Sequence, residues 1–245
     1  MNIAFIGFGK VAYTLSKLIN SPDIIFSTST ENRSKDTIDL INKADIRIFD
    51  YFSDALKNAD VIISAVTPSE AVEVADKYNA YCNGIYLDLN NISPYTTDEI
   101  NSIVDNFVDG AIIGKIDSKN PTLYLAGENA HKLLFLNDFL NVNVVSDEIG
   151  DASKLKLLRS TYTKSLSVLL IETYDLARKL DLEDEFFYTL SITEGKDFKD
   201  KSLSRINNTL KSSKRKAEEL EEILDYFNDD ELGMVKAALD KLKQF

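Results

Sequence analysis

Two glycines near the start of the chain, in the run Gly7-Phe8-Gly9, follow a short apolar segment and precede a stretch of helical character. Ile3–Ile6 predicts a buried strand and Lys10–Asn20 predicts a helix. In a strand–turn–helix unit the first glycine allows a tight turn and the second lets the backbone approach a pyrophosphate. The small residue Ala12 would then let the helix pack closely on the strand. We therefore expect a dinucleotide site, with the helix N-terminus directed at the phosphates. The residues assigned to it are Gly7, Phe8, Gly9, Lys10 and Val11.

The rest of the chain divides into a half that alternates strands with helices and a half with helices alone. Short β-branched runs alternate with helical stretches up to about residue 145, which predicts a parallel sheet covered on both faces. The strand candidates are Ile3–Ile6, Ile24–Thr28, Ile46–Phe49, Val61–Val66, Ile85–Leu89, Ala111–Ile113, Thr122–Ala126 and Val142–Val145. After Gly150, apolar residues at three- and four-residue spacing predict helices. The helix candidates are Asp151–Leu180, Asp184–Ile192, Asp197–Phe227 and Asp230–Lys243. We expect an α/β fold, with a doubly wound Rossmann domain at 1–147 and an all-α domain at 148–245.

Composition narrows the classes of partner. The net charge of −12 argues against nucleic acid, whose binding needs a concentrated basic surface. No apolar run approaches the length of a bilayer span, which argues against a membrane protein. A single cysteine, Cys82, and an apolar strand that begins directly after Met1 favour a cytoplasmic location. The sequence has one histidine, His131, which is too few for a histidine-based zinc site, and we expect no metal.

The segment Ser27–Ser34 indicates which nucleotide is preferred. A carboxylate at the end of the second strand would accept a hydrogen bond from the ribose of NAD, whereas hydroxyls and an arginine accommodate the 2′-phosphate of NADP. This strand end carries hydroxyls and no acid, and an arginine follows closely. We therefore predict NADP, bound by Ser29, Arg33 and Ser34. Two alternatives stay open: Glu31 could serve as a ribose acceptor for NAD, or the loop could have no role in binding phosphate.

A polar stripe runs along the predicted long helix. At 100° per residue, Lys156, Ser160, Thr163 and Ser167 fall within a narrow arc, with Lys164 at its margin. The apolar stripe of the same helix lies about 120° away. Its residues are Leu155, Leu158, Tyr162, Leu166, Leu169, Thr173, Leu176 and Leu180. From periodicity alone, the polar stripe is better explained as a solvated face.

Three segments resemble motifs of one enzyme superfamily. Gly150–Lys156 has the spacing G-x-A-x-x-x-K, Asp88–Pro94 is similar to D-x-S-T-x-S-P, and Val108–Gly114 is similar to D-A-P-V-S-G. With the glycine turn, these segments resemble, in order, the β-hydroxyacid dehydrogenase superfamily, which includes the 6-phosphogluconate and 3-hydroxyisobutyrate dehydrogenases. The chain looks most similar to a little-characterised archaeal branch that has an NADP-binding domain and a shortened helical domain.

The resemblance implies roles for individual residues. Lys156 would be the general acid or base of hydride transfer, and Ser160 replaces an asparagine that accompanies this lysine in the family. Lys164 would lower the pKa of Lys156 and lie near the substrate. The position of the acid that assists decarboxylation is Thr163 here, so decarboxylation is not implied. Substrate would be held by Asn90, Asn91 and Ser93, and the nicotinamide would be flanked by Val66, Thr67 and Pro68 at the carboxyl end of a strand.

These observations predict an NADP-dependent oxidoreductase that acts on a small hydroxy acid or a related carbonyl compound between the two domains. One alternative is another reductase with the same nucleotide domain, of the pyrroline-carboxylate or deazaflavin type, which would not need Lys156. The second alternative is a non-enzymatic NADP-binding or sensor protein. The helical half is too short to enclose a cleft alone, so we expect a homodimer formed through residues 148–245.

Overall fold

The computed structural model describes residues 1–119, 121–228 and 231–245. The chain is divided into two units, Met1–Lys156 and Leu157–Phe245. The division falls inside one long helix, Asp151–Lys179, whereas the sequence predicted a domain boundary just before that helix. The first unit holds an eight-stranded sheet with helices and the second is helical, which confirms the predicted fold class.

The elements are numbered in chain order. The strands are β1 (Asn2–Ile6), β2 (Ile25–Ser29), β3 (Arg47–Phe49), β4 (Val61–Ser64), β5 (Ile85–Asp88), β6 (Phe107–Ile113), β7 (Thr122–Ala126) and β8 (Asn141–Ser146). The helices of the first unit are α1 (Lys10–Leu18), α2 (Lys35–Asn42), α3 (Phe52–Leu56), α4 (Ala71–Tyr78) and α5 (Pro94–Ile103), followed by the start of α6 (Asp151–Lys179). The second unit continues α6 and adds α7 (Glu183–Glu194), α8 (Phe198–Lys211), α9 (Ser213–Phe227) and α10 (Gly233–Leu242). Short 3₁₀ segments lie at Pro68–Glu70, Asn79–Tyr81 and Ala130–Asp138.

The sheet has the strand order β3-β2-β1-β4-β5-β6-β7-β8, and the first six strands are parallel. In this order β1 and β4 are neighbours, and the direction of winding reverses between them. Nucleotides bind to sheets of this kind beyond the carboxyl ends of the strands at the reversal point. The glycine turn follows β1 at this edge.

The core of the first unit lies on both faces of the sheet. Side chains along β1 alternate between the faces, so Ile3 and Phe5 pack in one apolar cluster and Ala4 and Ile6 in the other. All four residues are fully buried. A strand that is buried on both faces has a continuous apolar sequence, and β1 was predicted from such a run.

Two details of the predicted elements are wrong. β7 runs antiparallel to β6, and β8 runs parallel to β7, so the last two strands oppose the other six. A parallel crossover needs a connection long enough to cross the sheet, usually a helix, and the described residues between β6 and β7 contain none. The predicted helix Asp197–Phe227 is interrupted at Ser212, whose hydroxyl donates to the carbonyl of Asn208. Such a bond competes with the helical backbone.

The second unit has its core where α9 and α10 meet the buried face of α6. Leu220 and Leu242 are fully or almost fully buried there, and Val168 of α6 packs with them. The last predicted helix was expected to begin at Asp230, which lies outside the described residues, and α10 begins at Gly233. Among the described residues, no helix is long and apolar enough to cross a membrane.

The apolar stripe predicted along α6 is exposed in the second unit. Tyr162 is 67% exposed and Leu158 is 55% exposed, and Leu169, Leu176 and Leu180 are also exposed. Part of this stripe borders an apolar groove of about 480 Å³ that Phe227, Leu232 and Met234 line from the other side. By contrast, Lys164 and Ser167 of the polar stripe are buried. The interpretation of the polar stripe as a solvated face is therefore wrong at these two positions.

Candidate functional site

The glycine turn is built as a dinucleotide site requires. Gly7 has φ +85°, and a Cβ atom there would lie 2.5 Å from the carbonyl oxygen of Ala65, so only glycine fits. A Cβ atom on Gly9 would meet nothing within 4 Å. Gly9 is the N-cap of α1 and offers no side chain to the first N–H groups of that helix. Open space beside an uncapped helix N-terminus fits a pyrophosphate.

The side chains of this turn have separate tasks. Phe8 is buried and packs edge-to-face on Phe5, so only its backbone is available to a cofactor. Lys10 is exposed, and its ammonium pairs at 2.7 Å with Asp117 from the loop after β6. The turn thus contributes backbone groups and one exposed cation to the predicted pyrophosphate site.

The residues predicted to hold a 2′-phosphate lie at and beyond the end of β2. Arg33 is half-buried, its Nε donates to the carbonyl of Glu31 at 3.0 Å, and its guanidinium lies 5.2 Å from the ring centre of Phe52. Ser34 is exposed and caps α2 by accepting from the N–H of Thr37.

Ser29 differs from its two predicted companions because its side chain is buried. The hydroxyl donates to the carbonyl of Asp50 at 3.0 Å and accepts from the N–H of Glu31 at 3.0 Å. These two bonds fix the start of the loop that carries Arg33. Ser29 therefore shapes the loop, whereas the exposed groups of Arg33 and Ser34 face solvent at the same strand end.

The carboxylate of Glu31 is engaged by protein groups. One oxygen accepts from the N–H of Phe52 at 2.9 Å, and the other lies 3.6 Å from the ammonium of Lys77 in α4. A ribose acceptor for NAD would need one of these oxygens. The alternative that assigned Glu31 this task therefore requires one of its oxygens to leave its partner or to be shared with the ribose.

The loop after β4 carries Val66, Thr67 and Pro68. The N–H of Val66 donates to the side-chain oxygen of Asn90 at 2.7 Å. Thr67 and Glu70 cap each other across a short 3₁₀ turn that Pro68 begins. The Thr67 hydroxyl holds the pKa of Glu70 below its usual value. The three predicted residues therefore form a fixed loop beside the glycine turn.

Of the predicted substrate residues, Asn90 has its side chain turned into the protein. It is 5% exposed, and besides the bond to Val66 its amide nitrogen donates to Ser64 Oγ at 2.9 Å and to Asp88 Oδ2 at 2.7 Å. Asn91 is exposed. Ser93 is half-buried and caps α5 by accepting from the N–H of Thr96. Asn90 thus joins the ends of β4 and β5, and of the three residues only Asn91 is exposed.

Two buried acids lie beside these residues. Both belong to the motif segments quoted above, but no role was predicted for either. Asp88 and Asp109 are directly paired in the register of β5 and β6, and each is 2% exposed. Burial raises the pKa of Asp88 to about 7, and burial also raises the pKa of Asp109. The sequence signal was an ionisable residue within or at the end of a strand that is otherwise apolar, since such a residue is rarely buried without a purpose.

The start of α6 is fixed to one of these acids. Ser153 donates its backbone N–H to Asp109 Oδ2 at 2.9 Å and its hydroxyl to Asp109 Oδ1 at 2.7 Å. Lys156 follows three residues later, on the same face of the helix, and is half-buried. By Coulomb attraction, its ammonium offsets part of the rise that burial causes in the pKa of both Asp88 and Asp109. The predicted catalytic lysine therefore lies within the electrostatic range of two buried carboxyls.

Ser160 and Lys164 belong to the second unit, where they bond to each other. The buried ammonium of Lys164 also pairs at 2.5 Å with Glu219 of α9. Glu219 supplies a compensating negative charge to Lys164 within that unit. The described residues contain no group of three or more His, Cys, Asp or Glu side chains that could hold a metal ion.

Comparisons with known proteins give four similarities. Residues 2–91 match the family model described as NADP oxidoreductase coenzyme F420-dependent. The chain is 43% identical, over 99% of its length and 98% of the other chain, to the "Uncharacterized 28.5 kDa protein in 7S RNA 5'region" of Methanothermus fervidus. It is 35% identical to the conserved protein MTH1747 of unknown function, whose structure is described as similar to 3-hydroxyacid dehydrogenases. That match covers 100% of this chain and 96% of the other, with a TM-score of 0.87. A 3-hydroxyisobutyrate dehydrogenase of Mycobacterium tuberculosis shares the fold at 15% identity, with coverages of 100% and 93% and a TM-score of 0.82.

Proposed function

We propose that this chain, which belongs to the protein family of the Methanothermus fervidus 28.5 kDa protein and MTH1747, is an NADP-dependent oxidoreductase. The fold is that of an NADP-binding oxidoreductase related to 3-hydroxyacid dehydrogenases. Its proposed reaction is hydride transfer at a small hydroxy acid or a related carbonyl compound. The observation that carries this proposal is the attachment of the helix bearing Lys156 to Asp109, through Ser153.

The chemistry divides between cofactor and protein. A bound nicotinamide supplies a hydride or accepts one. Lys156 Nζ would donate a proton to the substrate oxygen in reduction and remove it in oxidation, the usual task of a positioned acid–base group. Ser160 stays proposed as its companion, and Lys164 as a charge near the substrate.

The remaining assignments follow the exposure of each side chain. The turn Gly7–Val11 would hold the pyrophosphate through its backbone, and the loop Val66–Pro68 would flank the nicotinamide. Asn91 and Ser93 are proposed to contact the substrate. Asn90 is proposed to act through the loop it fixes, because its polar atoms already bond to protein groups.

The test combines a binding titration with a turnover screen. NADPH and NADH are titrated by cofactor fluorescence, and a panel of hydroxy acids and carbonyl compounds is then assayed in both directions. We expect tighter binding of NADPH and turnover that depends on Lys156. Equal affinity for both nucleotides would contradict the cofactor assignment. NADPH binding without turnover across the panel would favour a sensor.

A second candidate is hydride exchange between NADP and a deazaflavin, favoured by the description of the family model that residues 2–91 match. In this reaction a hydride would pass between two cofactors, so no lysine is needed to protonate a substrate oxygen. Assay with reduced deazaflavin and NADP separates it from the first candidate. Turnover that is unaffected by Lys156→Met would favour the deazaflavin reaction.

Lys77 is expected to influence nucleotide choice through Glu31. Its ammonium lies 3.6 Å from the Glu31 carboxylate, so Lys77→Met leaves a negative charge uncompensated near the proposed 2′-phosphate site. We expect NADPH affinity to fall about two- to fivefold, the size of an exposed ion-pair contribution, with NADH affinity unchanged. Lys57→Met removes a comparable surface pair with Asp54 and serves as the control. An equal loss of affinity for NADPH and NADH would contradict an effect of the Glu31 charge on the 2′-phosphate.

The exposed apolar stripe of α6 supports the proposed homodimer. Leucines and a tyrosine repeat along the helix at a spacing that normally faces a core, and in the second unit they face solvent. We expect a dimer at micromolar concentration by light scattering. Leu158→Glu with Tyr162→Glu should yield a monomer, because each change places a charge in the apolar contact. Lys236→Glu, on the surface of α10, is the control for added charge. A monomeric wild-type protein would contradict the prediction.

A further inference from the structure

We infer that Asp88 and Asp109 form a buried acid pair that keeps Lys156 in its ammonium form, so that Lys156 acts as the proton donor of the reduction. The reduction step rests on the proposed function. The charge state of Lys156 does not, and it can be measured without a substrate.

The backbone places the two acids side by side. Asp88 is at the end of β5 and is paired with Ser64 of β4 on one side and with Asp109 of β6 on the other. All three residues are buried. Parallel strands bring their carboxyl ends to one edge, so the acids lie at the same edge as the glycine turn.

Asp109 is surrounded by donors that stabilise its negative charge. The N–H and hydroxyl of Ser153 and the N–H of Ala152 all donate to it, and these groups belong to the first turn of α6. A helix N-terminus also favours an anion. These bonds partly offset the rise that burial causes in the pKa of Asp109, and they fix the start of α6 to this acid.

Asp88 has weaker support for its charge. Asn90 donates its backbone N–H at 2.8 Å and its amide at 2.7 Å, but burial and the neighbouring Asp109 both oppose ionisation. Tyr86, on the same strand, is a further titratable group close to Asp88. Lys156 lies one helical turn beyond Ser153, which binds Asp109, and its ammonium acts on both acids. By reciprocity, two carboxyls that gain from the ammonium also favour the ammonium over the neutral amine.

The consequence for the reaction concerns the pH range in which Lys156 can donate a proton. In the proposed reduction the reduced nicotinamide would supply a hydride to the carbonyl carbon, and Lys156 Nζ would donate a proton to the carbonyl oxygen. The products would be an alcohol, the oxidised nicotinamide and a neutral lysine, which would regain a proton from water. Because the acid pair favours the ammonium, Lys156 would stay a proton donor up to a higher pH.

The experiment measures the reactivity of Lys156 directly. The full-length protein is treated with a trace of acetic anhydride at pH 8, and labelling at Lys156 and at the exposed Lys35 is quantified by mass spectrometry. Only the neutral amine reacts, so a fall of one unit in the pKa of Lys156 raises its labelling about tenfold. For Asp88→Asn we expect the ratio of Lys156 to Lys35 labelling to rise about tenfold. Asp88→Glu should restore much of the wild-type ratio.

Asp60→Asn is the matched control, because Asp60 also accepts a backbone N–H at 2.7 Å but precedes β4, at the opposite edge of the sheet. Its labelling ratio should equal that of the wild type. A circular dichroism melt confirms that each variant is folded. If Asp109→Asn unfolds because α6 is no longer bonded to Asp109, the labelling ratio of Asp88→Asn still tests the acid pair.

The outcomes separate this inference from the proposed function. An unchanged labelling ratio in folded Asp88→Asn overturns the acid pair, whatever the enzyme catalyses. A raised ratio with no turnover on any substrate upholds the acid pair and counts against the proposed reaction. If a substrate is found, the rate of reduction should decline from a lower pH in Asp88→Asn than in the wild type. An unchanged pH profile would overturn the proton-donor role.

Discussion

Lys156→Met is expected to lower turnover about 10²–10⁴-fold, the usual contribution of a positioned acid–base group. Methionine retains most of the aliphatic stem and removes the transferable proton. NADPH affinity should change little, because the proposed phosphate contacts are made at the glycine turn and the loop after β2. Turnover of the best substrate from the panel and NADPH titration provide the two measurements.

Lys164→Met is the companion variant. The Lys164 ammonium is paired with Glu219 in the second unit, so its loss should reduce turnover less than the loss of Lys156. Normal turnover by Lys156→Met would mean that the family's acid–base mechanism does not apply to this chain. Another reductase mechanism would then take its place.

Arg33→Ala should weaken NADPH binding by about 1.5–3 kcal/mol, which is roughly tenfold to a hundredfold in Kd. The guanidinium is held by the carbonyl of Glu31 and the ring of Phe52, so it is already ordered before the cofactor binds. An ordered side chain loses less entropy on binding, which preserves more of the interaction. Fluorescence titration with NADPH measures the loss.

Titration of the same variant with NADH tests whether the loss concerns the 2′-phosphate. NADH lacks that phosphate, so its affinity should stay near the wild-type value. Arg33→Lys keeps the charge but not the planar group, and an intermediate loss is expected. A parallel loss of NADH affinity would show instead that Arg33 supports the loop as a whole.

The sequence predicted the sheet well because its strands are short apolar runs between turn and helix signals. All eight predicted strands are present, with small shifts at their ends except in β6, which begins at Phe107 and not at the predicted Ala111. The direction of β7 was not predictable from its own residues. Strand direction depends on the connection, and the segment between β6 and β7 gave no clear signal for or against a crossover.

The helical half was predicted less well because periodicity marks an apolar stripe but not what covers it. Leu158, Tyr162 and Leu169 have the spacing of core residues, yet they are exposed in the second unit. Lys164 has the character of a surface residue, yet Glu219 makes its burial possible. Burial of a charge depends on a partner that is distant in sequence, and no local pattern reveals that partner.

The candidate site shows the same limit. Gly7 could be predicted because its conformation and close contact with Ala65 are properties that only glycine permits. The engagement of Asn90 and Ser29 by protein groups could not, since it depends on strands that meet only in the folded sheet. The pairing of Asp88 with Asp109 likewise depends on the register of β5 and β6.

The position of β1 in the centre of the sheet affects how the chain folds during synthesis. The ribosome makes β1 before the other strands, yet its two neighbours, β2 and β4, are completed only when Val61–Ser64 has emerged. Pairing between such distant segments is slow, and an unpaired apolar strand promotes aggregation. Gly7 contacts Ala65, which follows β4 directly, so the nucleotide turn acquires its final shape only at this stage. The glycine turn therefore takes its final shape at the same stage of synthesis at which β1 becomes paired on both sides.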